Sequence, residues 1–185
     1  KLLSNVPAAK LPTVLQLFNK MATEICEGQQ YDVDFESQEA VNIEEYLHMI
    51  RLKTSVLLGT ALQIGAYIAG ADQEAQRAIY DFGINVGLAF QIQDDILDVW
   101  GDPATFGKAV GGDIACNKKT FVFLTALQMA DIDHRRTLEN WYSRVLTDNT
   151  QKIATVKSIF EAVGVRKTCE EKVNDYTETA MAILA

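Results

Sequence analysis

Proline, the residue that most strongly interrupts helices, occurs at only three places in this 185-residue chain: Pro7, Pro12 and Pro103. Between those positions, apolar side chains recur every three or four residues, which is the spacing that places them on one face of a helix. No segment alternates apolar and polar residues in the manner of a β-strand. These patterns predict an all-α fold, a bundle of amphipathic helices joined by short connections.

Helix start and stop signals divide the chain into successive elements. They predict helices over 12–28, 42–70 and 72–100, with a polar break after the first and a glycine-rich loop after the third. A further helix is predicted to open at Asn117 or Thr120 and to end near residue 130. Two or three amphipathic helices are predicted for the remainder of the chain.

Charge and cysteine content narrow the class of protein. Asp and Glu number 25 against 17 Lys and Arg, a net charge of -8, which argues against nucleic acid as a partner because that affinity depends on neutralising phosphates. The three cysteines, Cys26, Cys116 and Cys169, are far apart and form no disulfide or zinc pattern. They fit a reducing compartment, and no signal segment opens the chain, so we expect a cytoplasmic protein.

The apolar stretch VLLGTALQIGAYIAGA, residues 56–71, has the look of a membrane span. It is shorter than the usual length of 18 or more apolar residues, and Gln63 interrupts it. We therefore expect a core helix that is apolar on most sides and needs neighbours all round, and no transmembrane segment.

The segment GLAFQIQDDILDVWGD, residues 87–102, places carboxylates within an apolar helix. Asp94 and Asp98 lie one turn apart, about 40° around the helix axis, and Asp95 lies at the edge of the same face. Like charges at this spacing destabilise a helix, and buried carboxylates are costly unless a cation compensates them. Several carboxylate oxygens with room for water and phosphate are what Mg²⁺ uses. The segment indicates either a Mg²⁺ site that holds a polyphosphate or an acidic face exposed to solvent.

Basic residues around this segment favour the magnesium interpretation. Lys108 lies in the glycine-rich loop that follows, and Lys118 and Lys119 are at the opening of the next predicted helix. Lys53, next to Thr54, interrupts a long apolar helix, where an unpaired ammonium group is hard to explain. Because cations that converge on a carboxylate-bound metal form a site for a diphosphate, we expect these lysines and the aspartates to face one anion.

Four segments resemble the trans-isoprenyl diphosphate synthase family, the farnesyl and geranylgeranyl diphosphate synthases. They are CEGQQYDVDFE (26–36), YLHMIRLKT (46–54), GLAFQIQDDILDVWGD (87–102) and GKAVGGDIACNKKTF (107–121). Their order and spacing agree with the family, although Asn117 stands where glycine is commoner. The resemblance implies the all-α helical bundle of isoprenoid (terpenoid) synthases, with 1–185 as the C-terminal part of a single domain whose N-terminal helices are missing.

The resemblance also implies a reaction and a metal site. The family condenses an allylic diphosphate with isopentenyl diphosphate to make a longer trans-isoprenyl diphosphate. Asp94, Asp95 and Asp98 correspond to its second aspartate-rich motif, which binds Mg²⁺ and through it the allylic diphosphate, and Asp113 assists through water.

Further residues of the matched segments correspond to the family's substrate-binding positions. The resemblance implies that Lys53, Lys108 and Lys118 contact the diphosphate. Thr54 and Gln91 lie near the reacting carbons, and Gln29 and Asp32 line the same cavity. The implied substrate-binding residues are Lys53, Thr54, Gln91, Lys108, Lys118, Gln29 and Asp32. The first four of these are expected to be catalytic.

Two alternatives remain open on the residues. A class I terpene cyclase shares the fold and the ionisation chemistry but usually has an Asn/Ser/Glu-type second metal motif, and a non-catalytic helical subunit could keep the fold without activity. The family's first aspartate-rich motif lies in its N-terminal half, and no DDxxD precedes Asp94. We therefore expect this chain to be part of a longer protein, homodimeric by resemblance, and inactive as a fragment.

Overall fold

The computed structural model describes residues 5–102 and 110–185, and within those ranges it contains helices and no strand. The first half forms four α-helices: α1 (Leu11–Ser37), α2 (Ile43–Ile50), α3 (Val56–Ala69) and α4 (Gln73–Trp100). A π-helical segment, Arg51–Ser55, joins α2 to α3 without a break. The second half forms five more: α5 (Gly112–Ala115), α6 (Phe121–Met129), α7 (Ile132–Tyr142), α8 (Thr150–Val163) and α9 (Val165–Ile183). The predicted all-α class is confirmed.

The predicted helix starts are confirmed by side-chain caps. Asn42 and Glu45 form a reciprocal capping box before α2, with N–H to oxygen distances of 2.8 and 2.9 Å. Asp72 accepts a hydrogen bond from the Ala75 N–H, 2.8 Å away, at the start of α4. Of the two candidate caps for α6, the structure uses Thr120, whose hydroxyl accepts from the Phe123 N–H.

The predicted end of the first helix is wrong. The polar residues after Gly28 do not break α1, which continues to Ser37. Asp and Glu side chains are tolerated on the exposed face of a helix, and Phe35 is buried on the opposite face at 8% exposure. The buried Phe35 therefore stabilises the last turns of α1, a segment whose polarity alone predicts a loop.

The chain forms two compact units. Unit 1 comprises the described parts of Lys1–Asp32, His48–Ala89 and Asp175–Ala185. Small residues let its helices approach closely: a Cβ on Gly83 would lie 2.6 Å from the Gly59 Cα, and a Cβ on Gly87 would lie 2.5 Å from the Ser55 Cα. This packing holds the π-helical segment against the first half of α4.

Unit 2 comprises the described parts of Val33–Leu47 and Phe90–Asn174. Its core is built from apolar side chains that are at most 2% exposed, among them Ile92, Ile96, Val99, Val122, Ala126, Leu138, Val156, Phe160 and Val165. These residues recur at helical spacing, as the sequence pattern predicts. They hold the second half of α4 in place.

Within the described part of the chain, one continuous helix, Ile43–Ala69, is long and apolar enough to cross a membrane by length and composition. A single helix of this kind is weak evidence for a membrane span, because core helices pass the same test. The expected core position holds near Val56, which is 0% exposed. The prediction that this helix has neighbours on all sides is wrong, because Leu57 and Leu62 are 48% and 38% exposed.

Candidate functional site

The three aspartates of α4 have different surroundings, and Asp95 is the buried one. Its carboxylate is 1% exposed, and Oδ2 accepts hydrogen bonds from the Tyr46 hydroxyl at 2.5 Å and from the Phe121 N–H at 3.0 Å. Oδ1 has no hydrogen-bond partner among the described residues. Burial raises the pKa of Asp95 to about 7, although both hydrogen bonds act in the opposite direction. Asp95 on α4 therefore contacts both the middle of α2 and the start of α6.

Asp98 faces the turn formed by residues 111–117, which includes the short helix α5. Its Oδ2 accepts from the Asp113 N–H at 3.0 Å, and its backbone carbonyl accepts from the Gly111 N–H at 2.6 Å. Gly111 has φ 87, a left-handed conformation that glycine adopts without strain. Partial burial raises the pKa of Asp98, and the negative charge of Asp113 raises it further. The turn thus brings a second carboxylate close to Asp98.

Asp113 lies within the same turn, and Lys118 directly follows it. The Lys118 N–H donates to the Asp113 carbonyl at 2.9 Å, and the Lys118 ammonium lies 3.6 Å from Asp113 Oδ1. Both side chains are partly exposed, at 39% and 24%. Asp94 is also partly exposed on α4. Among the described residues of unit 2, the predicted site residues that solvent or a ligand can reach are therefore Gln91, Asp94, Asp98, Asp113 and Lys118.

Lys119, the neighbour of Lys118, has a structural contact. Its ammonium donates to the Phe35 carbonyl at 2.6 Å, in the last turn of α1. A cation at a helix C-terminus satisfies a carbonyl that has no partner within the helix. Partial burial lowers the pKa of Lys119. The expectation that both lysines face one anion therefore does not fit Lys119 in this structure.

The predicted Lys53–Thr54 element lies in unit 1, in the π-helical segment. The Lys53 ammonium donates to Asp32 Oδ2 at 2.6 Å, and the two side chains are 33% and 21% exposed. Gly28 permits this approach, because a Cβ there would lie 2.4 Å from the Lys53 backbone nitrogen. The lysine that looked unpaired in the sequence therefore has a carboxylate partner from α1, itself one of the predicted site residues.

The remaining predicted residues are placed as follows. Thr54 and Gln91 are partly exposed, on the π-helical segment and on α4, and Gln29 is exposed on α1. Lys108 lies outside the described residues. The convergence of Lys53, Lys108 and Lys118 on a single anion stays a prediction.

The described residues alone do not complete a metal site. Among the described residues, no group of three or more His, Cys, Asp or Glu side chains is arranged to hold a metal by itself. Mg²⁺ is commonly held by one or two carboxylates together with waters and substrate phosphates, so this donor set fits it. Burial and the negative charge of Asp113 both raise the pKa of Asp98, and a bound cation would offset both effects. Ligation by Asp94, Asp95, Asp98 and Asp113 stays a prediction.

The sequence reasoning did not identify the groups that hold the site together. Tyr46 and the Phe121 N–H bind Asp95, and Lys152 binds the turn between Ala115 and Asn117. A signal for Lys152 is present in the sequence: it lies four residues before Val156 and eight before Phe160, on the apolar stripe of α8. The Tyr46 contact had no such signal, because its partner is 49 positions away.

The all-helical fold, with an aspartate-rich helix and an adjoining turn that contains glycine and lysine, agrees with the family expected from the sequence. The family model described as Polyprenyl synthetase matches residues 1–163. The chain belongs to this family.

Relatives agree with this assignment. The chain is 43% identical over 129 residues to a short chain isoprenyl diphosphate synthase of Methanocaldococcus jannaschii, a match that covers 70% of this chain and 39% of the relative. It is 36% identical over 170 residues to a geranylfarnesyl diphosphate synthase of Aeropyrum pernix, covering 92% of this chain and 52% of the relative. The chain therefore spans about half the length, or less, of these relatives.

Solved structures show the same fold. One of a geranylgeranyl pyrophosphate synthase matches with a TM-score of 0.92 and 45% identity, over 98% of this chain and 57% of that one. Another, from Corynebacterium glutamicum and complexed with isoprenyl diphosphate and magnesium, matches with a TM-score of 0.89 and 30% identity, over 98% and 51%. The isoprenoid synthase fold implied by the sequence is confirmed.

Proposed function

We propose that this chain is part of a prenyltransferase that condenses an allylic diphosphate with isopentenyl diphosphate to give a longer trans-isoprenyl diphosphate. The observation that carries the proposal is the turn that places Asp113 and Lys118 beside Asp98, where burial and the negative charge of Asp113 both raise the pKa of Asp98. The names of the similar proteins, which are geranylgeranyl and geranylfarnesyl diphosphate synthases, support it. The same names do not favour a terpene cyclase.

We propose Mg²⁺ as the metal, held by Asp94 and Asp98 with Asp113 assisting through water. A similar structure was solved with isoprenyl diphosphate and magnesium, and this supports the choice of ion. When bound, Mg²⁺ would supply positive charge to the diphosphate oxygens as they leave the allylic carbon. Asp95 differs from these residues, because it is 1% exposed and its Oδ2 already accepts from the Tyr46 hydroxyl and the Phe121 N–H, so its ligation of the metal stays a prediction.

The chain's own residues would bind and orient the diphosphate. Hydrogen bonds to its oxygens would come from Lys118 and, by the family resemblance, from Lys53 and Lys108. These ammonium groups would stabilise the negative charge that develops on the diphosphate as the carbon–oxygen bond breaks. The double bond of isopentenyl diphosphate then attacks the allylic carbon, and the proton that is lost goes to the departed diphosphate. Thr54 and Gln91 would face the reacting carbons, while Gln29 and Asp32 would line the cavity.

The test is binding of inorganic pyrophosphate by the full-length protein with and without Mg²⁺, followed by thermal shift and calorimetry. We expect Mg²⁺-dependent stabilisation, and we expect Asp98→Asn and Asp94→Asn to weaken it about tenfold or more, as loss of a charged ligand does. Asp81→Asn is the matched control, because Asp81 is exposed on the same helix. Equal binding by the aspartate variants and the wild type would contradict the metal assignment.

Product analysis distinguishes the proposed reaction from its alternatives. Full-length protein incubated with an allylic diphosphate, isopentenyl diphosphate and Mg²⁺ should yield a longer linear diphosphate. A cyclic hydrocarbon as the sole product would indicate a cyclase. Tight pyrophosphate binding is also incompatible with a purely structural subunit, so absence of both binding and product would favour that alternative.

We propose further that the full-length protein is a cytoplasmic homodimer, as the family resemblance implies. The exposed apolar residues Leu57 and Leu62 of α3 are compatible with a protein contact there. Sedimentation equilibrium of the full-length protein tests the dimer, and a mass of one subunit at micromolar concentration would contradict it.

A further inference from the structure

Lys152 is a buried ammonium group without a carboxylate partner. The residue is 0% exposed, and none of the ion pairs among the described residues includes it. Its Nζ donates to the Ala115 carbonyl at 3.1 Å and to Asn117 Oδ1, and it lies 5.5 Å from the centre of the Tyr142 ring. Because lysine is almost never buried unless it is paired, these neutral acceptors must hold it in place.

The position of Lys152 on its own helix does not explain its presence. It lies in the first turn of α8, where the helix dipole disfavours a positive charge. It also occupies the apolar stripe of α8 with Val156 and Phe160, which are 0% and 1% exposed. The ammonium group is therefore explained by its contacts at the C-terminal end of α5, where it donates to the Ala115 carbonyl and to Asn117 and where a cation is favoured.

Those contacts converge on one turn. Asn117 has φ 59, a left-handed conformation in which its side chain reaches both ways: Oδ1 accepts from Lys152, and Nδ2 donates to the Arg144 carbonyl at 2.9 Å. At the other end of the turn, a Cβ on Gly111 would lie 2.8 Å from Cγ2 of Ile153. Two consecutive residues of α8 thus brace the turn 111–117 at both of its ends.

The braced turn carries the polar groups of the proposed site. Asp113 lies inside it and its N–H binds Asp98, while Lys118 follows Asn117 directly. We propose that Lys152 is a positioning residue that fixes this turn, so that Asp113 and Lys118 are held ready for a diphosphate. The part of this inference that concerns the diphosphate rests on the proposed function, whereas the bracing of the turn does not.

The first experiment needs no ligand. Hydrogen exchange of the full-length protein follows the Cys116, Asn117 and Lys118 amides, which donate to carbonyls within the turn. In Lys152→Met, which keeps the apolar stem and removes the charge, we expect these amides to exchange at least about tenfold faster while those of α6 change little. Lys167→Met is the control, because the Lys167 side chain is 84% exposed. Unchanged exchange of the turn in Lys152→Met would overturn the proposal.

The second experiment measures the affinity for pyrophosphate with Mg²⁺. Lys152→Met should weaken it about tenfold in the wild-type background, and much less in a Lys118→Met background, where the positioned cation is absent. Equal weakening in both backgrounds would indicate general destabilisation and overturn the positioning role. If the wild type binds no pyrophosphate, the proposed function fails, while the exchange experiment still decides whether Lys152 braces the turn.

Asn117→Gly keeps the test usable if Lys152→Met does not fold. Glycine retains the left-handed conformation at no steric cost and removes the acceptor of Lys152. We expect the same faster exchange of the turn, and the same dependence on Lys118, as for Lys152→Met. A variant with wild-type exchange and wild-type pyrophosphate affinity would contradict the role of this contact.

Discussion

Two segments that carry predicted anion-binding lysines are held by different means. In unit 1, Lys53 lies in a π-helical segment and its ammonium is 2.6 Å from the Asp32 carboxylate. In unit 2, Lys118 follows a turn held by backbone hydrogen bonds and by the buried Lys152, and its own ammonium is 3.6 Å from Asp113. In the first segment, the ammonium group predicted to bind the anion is itself the group that makes the ion pair. In the second segment, the turn before Lys118 is held by a different lysine, Lys152.

This difference matters for what each lysine can do. When an anion binds to a lysine that is fixed by an ion pair, the phosphate competes with the carboxylate for the same ammonium group. A lysine whose turn is held by other groups keeps its support when the anion arrives, so less ordering is required on binding. Four experiments test how strongly each segment is held, and they are given in order of expected effect.

The largest effect is expected at Asp95, which supports the unit 2 segment from α4. Asp95→Ala would leave the buried Tyr46 hydroxyl and Phe121 N–H without an acceptor, and this should lower the free energy of unfolding by about 3 kcal/mol. Urea unfolding measures the change. Asp94→Ala, on the same helix but partly exposed, should change it by less than about 0.5 kcal/mol. Equal effects of the two variants would contradict the assignment of different roles.

The next effect is expected where α1 meets the π-helical segment of unit 1. Gly28→Ala would place a Cβ 2.4 Å from the Lys53 nitrogen and 2.8 Å from the Leu52 Cβ, so the helices must separate. We expect a loss of about 2 kcal/mol in unfolding free energy. Gly65→Ala in α3 meets no atom within 4 Å and should stabilise the protein by up to about 1 kcal/mol. A neutral Gly28→Ala would show that this contact is looser than described.

A smaller effect is expected from the Lys53–Asp32 pair. A double-mutant cycle with Lys53→Met and Asp32→Asn should give a coupling energy of about 1 kcal/mol at low salt, because the pair is short and partly shielded. The coupling should fall as salt is raised. A coupling that is zero at low salt would remove the difference between the two segments.

The smallest effect is expected from Lys118 and Asp113. The longer distance and greater exposure of this pair predict a coupling below about 0.5 kcal/mol in the same kind of cycle, with Lys118→Met and Asp113→Asn. A coupling as large as that of Lys53 and Asp32 would mean that the Lys118 ammonium also holds its own segment. In that case the bracing by Lys152 would be redundant.

Local patterns were sufficient for the helices and the family. The three- and four-residue periodicity predicted the all-α class, and Asn42, Asp72 and Thr120 marked helix starts that the structure confirms. These features depend on residues within one or two turns of each other, which is the range over which helix geometry and capping operate. The continuation of α1 to Ser37 escaped prediction because a buried Phe35 outweighs the polarity around it.

What the sequence determined by itself is therefore the helical class, the family and the set of polar residues around α4. Helical periodicity fixes the angle of a side chain about its own axis, and nothing more. Only the tertiary structure decided that Asp95 is buried while Asp94 is reachable, that Asp32 pairs with Lys53, and that Lys152 braces the turn before Lys118. Each of these outcomes depends on a partner between 21 and 49 positions away, brought near by packing that no local pattern encodes.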